Sequence, residues 1–471
     1  MRLLLLASAL VGSLLGLAQA SAMSQGPPTG SWVGTYSLGG KDAVGISIAG
    51  NRAVVALGVG HADAQSVPLS VRGARLRFQL PGRPGPVVFS GTVRGRAIEG
   101  TVRQGKVGGA FKARRGSAAG LVARGAYATP AGRLAVVDDP FGPARLLDTD
   151  SGEVRGLFPS GAGFVVGAGW STRAPSSGNA EFDATGGVVR GVRASRVPER
   201  QLEVRFSSAA AVLAGTLTIP AGAGPHAAVA FVHGSGPTQR AYLPDFAALL
   251  LRHGVAVLAY DKRGIGQSGG SYPGESPTAG TIDVLARDAA AAARFLAATP
   301  GIDPARVGLA GHSQAGWIMP LAASRDRAVR FVLAFAGPAV SADEVDLFQD
   351  LTGQGERPSS LSDDEINTRV EQAGPGGVDP IPWIRSLRVP ALWLYGGLDR
   401  HIPTQLSLRR LQPLLGQSGR DFRAEVFLHA NHALVETRTG LTSEMRASST
   451  FAPGLFSTVA DWLRDHRLAA G

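Results

Sequence analysis

From about residue 200 to its end, the sequence alternates short apolar runs with longer stretches of helical periodicity. The apolar runs are 227–232, 255–260, 307–310, 331–335, 391–395 and 424–428. The helical stretches are 245–252, 282–298, 315–324, 405–415 and 456–466. Runs without a polar face indicate strands that are covered on both sides, as in a parallel sheet. For residues 201–471 this predicts a doubly wound, mostly parallel α/β sheet, in which ligands bind beyond the carboxyl ends of the strands.

The first 200 residues carry a different pattern, of short alternating runs separated by glycine. Between residues 31 and 115, turn signals recur roughly every eight to twelve residues, which predicts a small antiparallel, barrel-like module. Residues 120–200 continue in this style and predict a second small β-module or an extension of the first. Its expected strands are 133–138, 143–147, 163–169 and 188–193. The runs QLEVRFSS and AVLAGTLTIP then predict a hairpin at the start of the α/β part.

Residues 1–20, MRLLLLASALVGSLLGLAQA, predict a secretory signal peptide. Arg2 supplies the positive charge, an apolar stretch follows, and Ala18-Gln19-Ala20 has the form of a cleavage site. The apolar stretch is short for a spanning helix, which needs ~20 residues, although an uncleaved anchor is the alternative. We therefore expect a secreted or periplasmic protein with no integral membrane span after cleavage.

Composition narrows the range of partners. With 44% hydrophobic and 18% charged residues, the 471-residue chain can form buried cores and is long enough for two or three domains. Its net charge of +11 comes almost entirely from scattered arginines without a basic run, so no nucleic-acid partner is expected. The chain has no cysteine, which excludes disulfides and thiolate metal sites.

The strongest motif is VGLAGHSQAG at residues 307–316. An apolar strand runs into a tight turn that holds Ser313, and a helix with small residues follows, which is the pattern of a nucleophile elbow. Such a turn lifts the serine hydroxyl above the sheet, and small neighbours are needed because strand and helix approach closely. Ala315 stands where the pattern G-x-S-x-G has its second glycine, and Gly316 follows. The alternative is a serine that only caps a helix.

A serine nucleophile needs a base, and the base needs an acid that orients it. Asp399 follows the run 391–395 after a short glycine-containing turn, which places its carboxylate at the carboxyl edge. A helix-capping aspartate is the alternative. His432 lies in the loop after the last strand and is the predicted base, with His429 as the competitor. His401, close to Asp399, is interpreted as a surface or pocket residue.

The oxyanion of an acyl-transfer intermediate needs two aligned backbone donors. The amide of Gln314, directly after the serine, is the first candidate. The second is expected in the loop HGSGP after the run 227–232, where glycines let N–H groups face a substrate. We choose Ser235, with its neighbours Gly234 and Gly236 as alternatives. His233 is interpreted as a structural histidine of that loop.

Two further segments flank the predicted site. Residues 260–268, YDKRGIGQS, superficially resemble a phosphate-binding loop, but they lack the spacing GxxxxGK[ST] and open no helix. They predict a tight structural turn beside the pocket. Residues 337–383 form an insertion with one helical stretch, 363–372, which predicts a short lid or an open pocket.

Together, the segments HGSGP, DKRGIGQSGG, GHSQAG, YGGLDRHIP and ANH resemble serine hydrolases of the α/β-hydrolase superfamily, particularly bacterial exported esterases with an N-terminal β-module. The resemblance covers roughly residues 200–471, with the motifs in family order. It implies Ser313, Asp399 and His432 as a catalytic triad and Ser235 and Gln314 as the oxyanion hole. It also implies carboxylesterase activity on short-chain acyl esters, a small-molecule substrate, and no metal or cofactor.

Other functions stay open at this point. An exported aminopeptidase or acyl-peptide hydrolase would use the same triad, and so would an acyl thioesterase. A non-catalytic envelope binding protein with a vestigial hydrolase domain is the alternative from another class. The sequence leaves the oligomeric state open, and residues 31–200 are expected to serve as a scaffold or as a wall of the substrate route.

Overall fold

A computed structural model describes residues 30–38, 41–49, 51–57, 65–80, 85–115, 124–137, 143–160, 163–183, 185–240 and 245–469. The predicted signal peptide, residues 1–20, lies outside these ranges, so export stays a prediction. Within them the chain forms three β-sheets that follow one another along the sequence. The α-helices of the described part all lie after residue 240 and pack on the third sheet.

The first sheet contains nine antiparallel strands in the order β4-β3-β2-β1-β9-β8-β7-β6-β5. The strands are β1 (Gly30–Ser37), β2 (Lys41–Ala49), β3 (Arg52–Leu57), β4 (Gln65–Pro68), β5 (Ser70–Arg72), β6 (Arg75–Leu80), β7 (Val87–Arg94), β8 (Ala97–Gln104) and β9 (Val107–Arg115). Alternate side chains face one core, as in β6, where buried and exposed residues alternate strictly. Phe78, Phe89 and Phe111 pack together at its centre.

The second sheet is a closed barrel of eight antiparallel strands, in which β10 and β17 pair to complete the ring. The strands are β10 (Gly125–Thr129), β11 (Gly132–Val137), β12 (Ala144–Asp148), β13 (Val154–Ser160), β14 (Gly163–Val166), β15 (Gly178–Phe182), β16 (Gly186–Val189) and β17 (Val192–Val197). Buried side chains that include Tyr127, Leu146, Phe164 and Val166 form its core. A barrel of this size is just wide enough for its interior to be filled by side chains.

The third sheet has eight strands in the order β18-β19-β21-β20-β22-β23-β24-β25. The strands are β18 (Glu199–Ser208), β19 (Ala211–Pro220), β20 (His226–Val232), β21 (Ala256–Tyr260), β22 (Ile302–His312), β23 (Val332–Phe335), β24 (Ala391–Gly396) and β25 (Phe422–Phe427). The hairpin β18–β19 is antiparallel, as predicted, and β19 pairs antiparallel with β21. The remaining pairs, from β21 to β25, are parallel, so their carboxyl ends meet at one edge.

Helices cover both faces of the third sheet. They are α1 (Asp245–Arg252), α2 (Ala279–Ala297), α3 (Ala315–Arg325), α4 (Ala342–Thr352), α5 (Asp363–Ala373), α6 (Ile381–Ser386), α7 (Thr404–Leu411), α8 (Thr442–Met445) and α9 (Leu455–Asp465). In β20, Ala228, Ala230 and Val232 join a core with α2 and α3, whereas Val229 and Phe231 join a core with α1 and α9. Burial on both faces explains why these strands read as unbroken apolar runs.

Residues 188–193 do not form the single strand that the sequence predicts. Strand β16 ends at Val189 and β17 begins at Val192, and the two pair as a tight hairpin. Arg190 and Gly191 between them have φ values of 49° and 79°, the left-handed conformation that a two-residue hairpin turn requires. Valines on both sides of the turn favour strand structure, and Gly191 alone indicates a turn between them, so the sequence pattern predicted one strand.

The insertion after β23 is more helical than predicted. Besides α5, which matches the expected stretch 363–372, it contains α4 and ends in α6. Helix α4 begins with a capping box, in which the side chains of Ser341 and Glu344 each bond to the other's backbone N–H. The pattern S-x-x-E was a usable sequence signal for this helix start.

The barrel packs directly on the segment that follows the last strand of the third sheet. Trp170, which follows β14, contacts Phe451 with ring centroids 5.7 Å apart, and its N–H donates to the carbonyl of Ser448 at 2.7 Å. The N–H of Val154 on β13 donates to the carbonyl of Ser449 at 2.8 Å. Barrel residues and residues of α1 and α9 belong to one hydrophobic cluster, so these two parts share a core.

A buried ion pair reinforces this contact. Arg145 of β12 and Asp245, the first residue of α1, have side chains that are 4% and 3% exposed and lie 3.1 Å apart. The Nε–H of Arg145 lies 3.1 Å from both carboxylate oxygens, and the guanidinium stacks over Trp170 at 4.6 Å from the ring centroid. The pair therefore connects the barrel to the start of α1, where a negative charge is also favoured by the helix dipole.

We expect the substitution Arg145→Met to lower the free energy of unfolding by about 3–5 kcal/mol, because it leaves the buried carboxylate of Asp245 without its cation. The matched control is Arg287→Met, which breaks an ion pair whose arginine is 60% exposed and should cost less than about 1 kcal/mol. Urea unfolding measures both. The double variant Arg145→Met/Asp245→Leu should recover most of the loss. Equal effects of the two single substitutions would contradict the role given to the buried pair.

Candidate active site

Ser313 lies in the tight turn between β22 and α3. Its φ is +57°, a left-handed backbone conformation that residues other than glycine rarely adopt. Its N–H donates to the carbonyl of Phe335 at 3.0 Å. A Cβ on Gly311 would lie 2.5 Å from the Cβ of Ala315, and a Cβ on Gly316 would lie 2.6 Å from the backbone of the next segment. The backbone positions that leave no room for a Cβ are thus Gly311 and Gly316. The turn can therefore accept alanine at position 315.

Asp399 and His432 are in direct contact. The Nδ1 atom of His432 lies 2.8 Å from Oδ2 of Asp399, and the other carboxylate oxygen accepts the N–H groups of His401 and Ile402 at 2.7 and 2.9 Å. Burial alone would raise the pKa of Asp399, but the nearby imidazoles and these hydrogen bonds hold it below its usual value. The carboxylate is therefore ionised at neutral pH and fixes the orientation of the His432 ring.

Two other histidines flank His432. The ring of His312 lies 4.5 Å from it and the ring of His401 lies 4.7 Å from it, centroid to centroid. Burial lowers the pKa of His312 to about 3 and that of His401 to about 4, so both are neutral at pH 7. Because the carbonyl of His432 accepts a hydrogen bond from Nε2 of His312 at 2.8 Å, the proton of His312 is on Nε2.

The contact between His312 and His432 joins the serine turn to the loop after β25. His312 is the last residue of β22, and Ser313 follows it directly, so the serine and the Asp399–His432 pair occupy the same edge of the sheet. Sequence reasoning had not given His312 a role. Its place before the serine, in the segment GHSQAG, was the available signal.

The backbone amides predicted to hold an oxyanion lie beside this turn. A Cβ on Gly234 would be 3.4 Å from the Cβ of Ser313, so the loop 233–237 borders the serine. Among the described residues, none accepts a hydrogen bond from the N–H of Ser235 or of Gln314. Unsatisfied N–H groups beside a strained serine are available to a ligand. The neighbouring Gly236 has a φ of +86°, which favours glycine in this loop.

A buried lysine connects the two segments that carry these amides. The ammonium group of Lys262, which is 3% exposed, donates to the carbonyl oxygen of Gly234 and lies 3.4 Å from Oε1 of Gln314. The side-chain nitrogen of Gln314 donates in turn to the carbonyl of Glu275 at 3.1 Å. Sequence reasoning treated the segment 260–268 as a tight turn and gave its lysine no role.

Burial lowers the pKa of Lys262 to about 7, and the charge of Glu275 opposes this shift. The ammonium group is therefore only partly protonated at neutral pH, whereas in the unfolded chain it is protonated up to a pH near 10.5. The unfolded state binds more protons in this interval, so the contribution of Lys262 to stability becomes more favourable as the pH rises from about 7 towards 10.

The other two histidines near this edge of the sheet, His429 and His233, do not bond to Asp399. His429 is exposed, and its carbonyl accepts the N–H of Thr437 at 2.8 Å. His233 is buried in its loop, where its Nε2 lies 2.9 Å from the carbonyl of Tyr260, and burial lowers its pKa to about 3. Asp399 bonds to His432 and to the backbone of His401, and among the described residues it makes no hydrogen bond with His429 or His233.

Two kinds of feature are absent from the part of the chain that the structure describes. Its His, Asp and Glu side chains form no group of three or more that could hold a metal ion. Over the same ranges, none of the helices combines the length and the apolar character needed to cross a lipid bilayer.

A family model described as serine aminopeptidase, S33 (Hydrolase_4) matches residues 223–355. The matched region includes the loop of Ser235, the segment of Lys262 and the turn of Ser313. It ends before Asp399 and His432. The match therefore covers strands β20 to β23 of the third sheet and less than half of the chain.

Curated relatives extend the similarity. The chain is 28% identical over 250 residues to esterase EstD of Thermotoga maritima, across 47% of this chain and 58% of that protein. It is 28% identical over 188 residues to polyketide transferase claH of Penicillium crustosum, across 38% of this chain and 59% of that protein. The chain thus spans less than three-fifths of the length of these relatives. Among solved structures, it is similar to the Pyrococcus furiosus esterase Pf2001, with a TM-score of 0.40 and 18% identity over 56% of this chain and 91% of that one.

We expect the free energy of unfolding of the parent protein to rise by about 2 kcal/mol between pH 7 and pH 9, relative to the variant Lys262→Met. All other titrating groups are shared, so the difference between the two proteins isolates the lysine. Urea unfolding at both pH values measures it. A difference that stays constant over this interval would show that the lysine is fully charged in the folded protein. The exposed substitution Arg287→Met serves as the control and should show no such trend.

The fold and the similarities agree. A parallel sheet ends at one edge in a strained serine turn and in a buried aspartate bonded to a histidine, in the chain order serine, aspartate, histidine that is general for α/β-hydrolases. The N-terminal antiparallel sheets are additions to this arrangement. In the fold of its third sheet and in the order of these residues, the chain is similar to serine hydrolases of the α/β-hydrolase superfamily.

Proposed function

We propose that this protein is a carboxylesterase that cleaves short-chain acyl esters through Ser313, His432 and Asp399. The observation that carries the proposal is the 2.8 Å contact between Asp399 and Nδ1 of His432, at the edge where Ser313 occupies a strained turn. A histidine whose Nδ1–H is bound by a carboxylate presents Nε2 as a base. A serine hydroxyl on a strained strand-to-helix turn is exposed for attack.

The reaction proceeds in two halves. The Oγ of Ser313 forms a bond to the acyl carbon while Nε2 of His432 takes the hydroxyl proton. The tetrahedral intermediate then collapses, the bond to the alkoxy oxygen breaks, and His432 returns the proton to the leaving alcohol. In the second half a water molecule, deprotonated by His432, attacks the acyl-enzyme, and the carboxylic acid leaves as Ser313 regains its proton. Asp399 stabilises the imidazolium in each half without taking a proton.

The amides of Ser235 and Gln314 are proposed to bind the oxyanion that forms in each half. Among the residues that the structure describes, neither N–H has another acceptor, which supports this role, as does the position of the loop 233–237 beside Ser313. Lys262 contacts the carbonyl of Gly234 and the side chain of Gln314, and so holds the two donor segments at a fixed separation. Preorganised donors of this kind are worth about 10²–10³ in kcat for each hydrogen bond.

An aminopeptidase acting through the same residues is the second candidate, because the matched family model bears that description. Rates on amino-acid anilides and on p-nitrophenyl esters of short acids would separate the two functions. We expect kcat/KM to be larger on the acyl esters. A larger value on the unblocked anilides would favour the peptidase, and a preference for acyl thioesters would identify a thioesterase.

The substitution Ser313→Ala should abolish hydrolysis of p-nitrophenyl acetate, with a loss of about 10⁴-fold or more in kcat and an unchanged unfolding midpoint, because it removes the nucleophile only. The matched control is Ser324→Ala, at an exposed serine near the end of α3, which should retain the parent rate. Mass spectrometry after treatment with a fluorophosphonate should place the label on Ser313. A Ser313→Ala protein that works at the parent rate would end the proposal.

The two histidines that compete for the role of base give a second comparison. We expect His432→Ala to lower kcat by about 10³-fold or more, because the hydroxyl of Ser313 then loses its proton acceptor. His429→Ala should stay within twofold of the parent, since that side chain is exposed and has no contact with Asp399. Steady-state kinetics on p-nitrophenyl acetate would measure both, and the reverse result would transfer the role to His429.

A further inference from the structure

A cavity with a volume of about 660 Å³ lies between the barrel and the third sheet. Its walls come from β10 and β11 of the barrel, the loop after β19, the first residues of β20 and the end of α1. The volume is within the ~300–1,000 Å³ typical of sites for small molecules. Neither the matched family region nor the proposed reaction gives it a role.

This cavity is at the opposite end of the sheet from Ser313. His226, the first residue of β20, and Gly254, which precedes β21, both line it, so it borders the amino ends of the parallel strands. The proposed active site borders their carboxyl ends. Strand β20 has seven residues and spans roughly 20 Å at ~3.3 Å per residue. A molecule bound here would not occupy the site of Ser313.

The walls carry an excess of positive charge. Within the described ranges, the cavity is lined by four arginines and one carboxylate, that of Glu199; the arginines are Arg124, Arg133, Arg252 and Arg306. Arg252 and Arg306 are partly neutralised by Asp150 and Asp303, at 3.2 and 2.7 Å.

Arg133 on β11 is different, because its guanidinium makes no hydrogen bond or ion pair with any residue in the described ranges. The backbone of Arg133 does form hydrogen bonds: its N–H donates to Oδ2 of Asp150, and its carbonyl accepts from the hydroxyl of Thr149. The guanidinium of this half-buried arginine, which has no partner in the described part of the chain, is well placed to bind a carboxylate or a phosphate in a bidentate way.

The rest of the lining combines aliphatic residues with several polar ones, among them His226, His253 and Thr218. Leu134 and Val197 contribute from the barrel, and Leu251 and Leu468 contribute from the α/β part. A purely inorganic anion would leave these surfaces in contact with water, whereas a molecule with an apolar chain would cover them. The walls therefore match an anionic head group attached to an aliphatic body.

We propose that this cavity binds an anionic amphiphile, with its head group on Arg133 and its aliphatic chain between β11 and the end of α1. A carboxylate and a phosphate offer the same fork of oxygens to a guanidinium, so the head group is defined by that shared chemistry. Since both the barrel and the α/β part contribute to the walls, the bound molecule contacts both. The proposal is independent of the reaction assigned to Ser313.

Isothermal titration with decanoate, decyl phosphate and decan-1-ol tests the proposal on the full chain. At least one of the two anionic probes should bind, and the neutral alcohol should bind at least tenfold more weakly. The relative affinities of decanoate and decyl phosphate identify the preferred head group. Absence of binding by both anions up to millimolar concentration would overturn the proposal, and so would equal binding of the alcohol.

Substitution of Arg133 locates the site. We expect Arg133→Gln to lower the affinity for the anionic probe about tenfold or more, because a charge-assisted hydrogen bond is lost. The control is Arg193→Gln, at an exposed arginine of the same barrel outside the cavity, which should stay within twofold. Both variants should keep the parent unfolding midpoint and the parent rate on p-nitrophenyl acetate. Binding that is unchanged in Arg133→Gln would place the probe elsewhere, including the site of Ser313, and would refute the assignment.

Discussion

The parallel pairing of the strands from β20 to β25 is the constraint on which the candidate site depends. Because these strands share a direction, the loops that follow β20, β22, β24 and β25 leave the sheet at one edge. Those loops carry Ser235, Ser313, Asp399 and His432, which are far apart in the sequence. A shift of one strand by a single residue would turn its side chains to the opposite face and displace its contribution to the site.

The barrel helps to hold the loop that carries His432 at this edge of the sheet. After His432 the chain does not return to the sheet directly; Val435 pairs with Phe451, and the N–H of Phe451 donates to the carbonyl of Gly152 in the barrel at 2.9 Å. One end of the loop that carries the imidazole is therefore held by Asp399 and the other is held by the barrel. An element that looks accessory in the sequence supports the loop on which the proposed chemistry relies.

The sequence predicted β20, β21, β23 and β24 to within a residue at either end, because each is buried on both faces and reads as an apolar run. Strand β22 begins at Ile302, before the predicted run 307–310, because residues 303–306 are partly or fully exposed. The sequence also indicated which residues would meet: the contact between Asp399 and His432 was expected from their positions after two strands. It did not predict the hairpin at Arg190 and Gly191, where valines on both sides imitate one strand. The position of Lys262 between two loops was equally hidden, because that arrangement depends on contacts between distant segments rather than on local periodicity.

The shared core of the barrel and the α/β part has a consequence for how the chain loses its structure. The core of the first sheet contains only its own residues within the described ranges, whereas the second core cluster draws on both the barrel and the α/β helices. Opening the barrel would expose the apolar side of α1 and leave the carboxylate of Asp245 without its partner. We therefore expect the first sheet to unfold separately, and the barrel and the third sheet to unfold together as one cooperative unit.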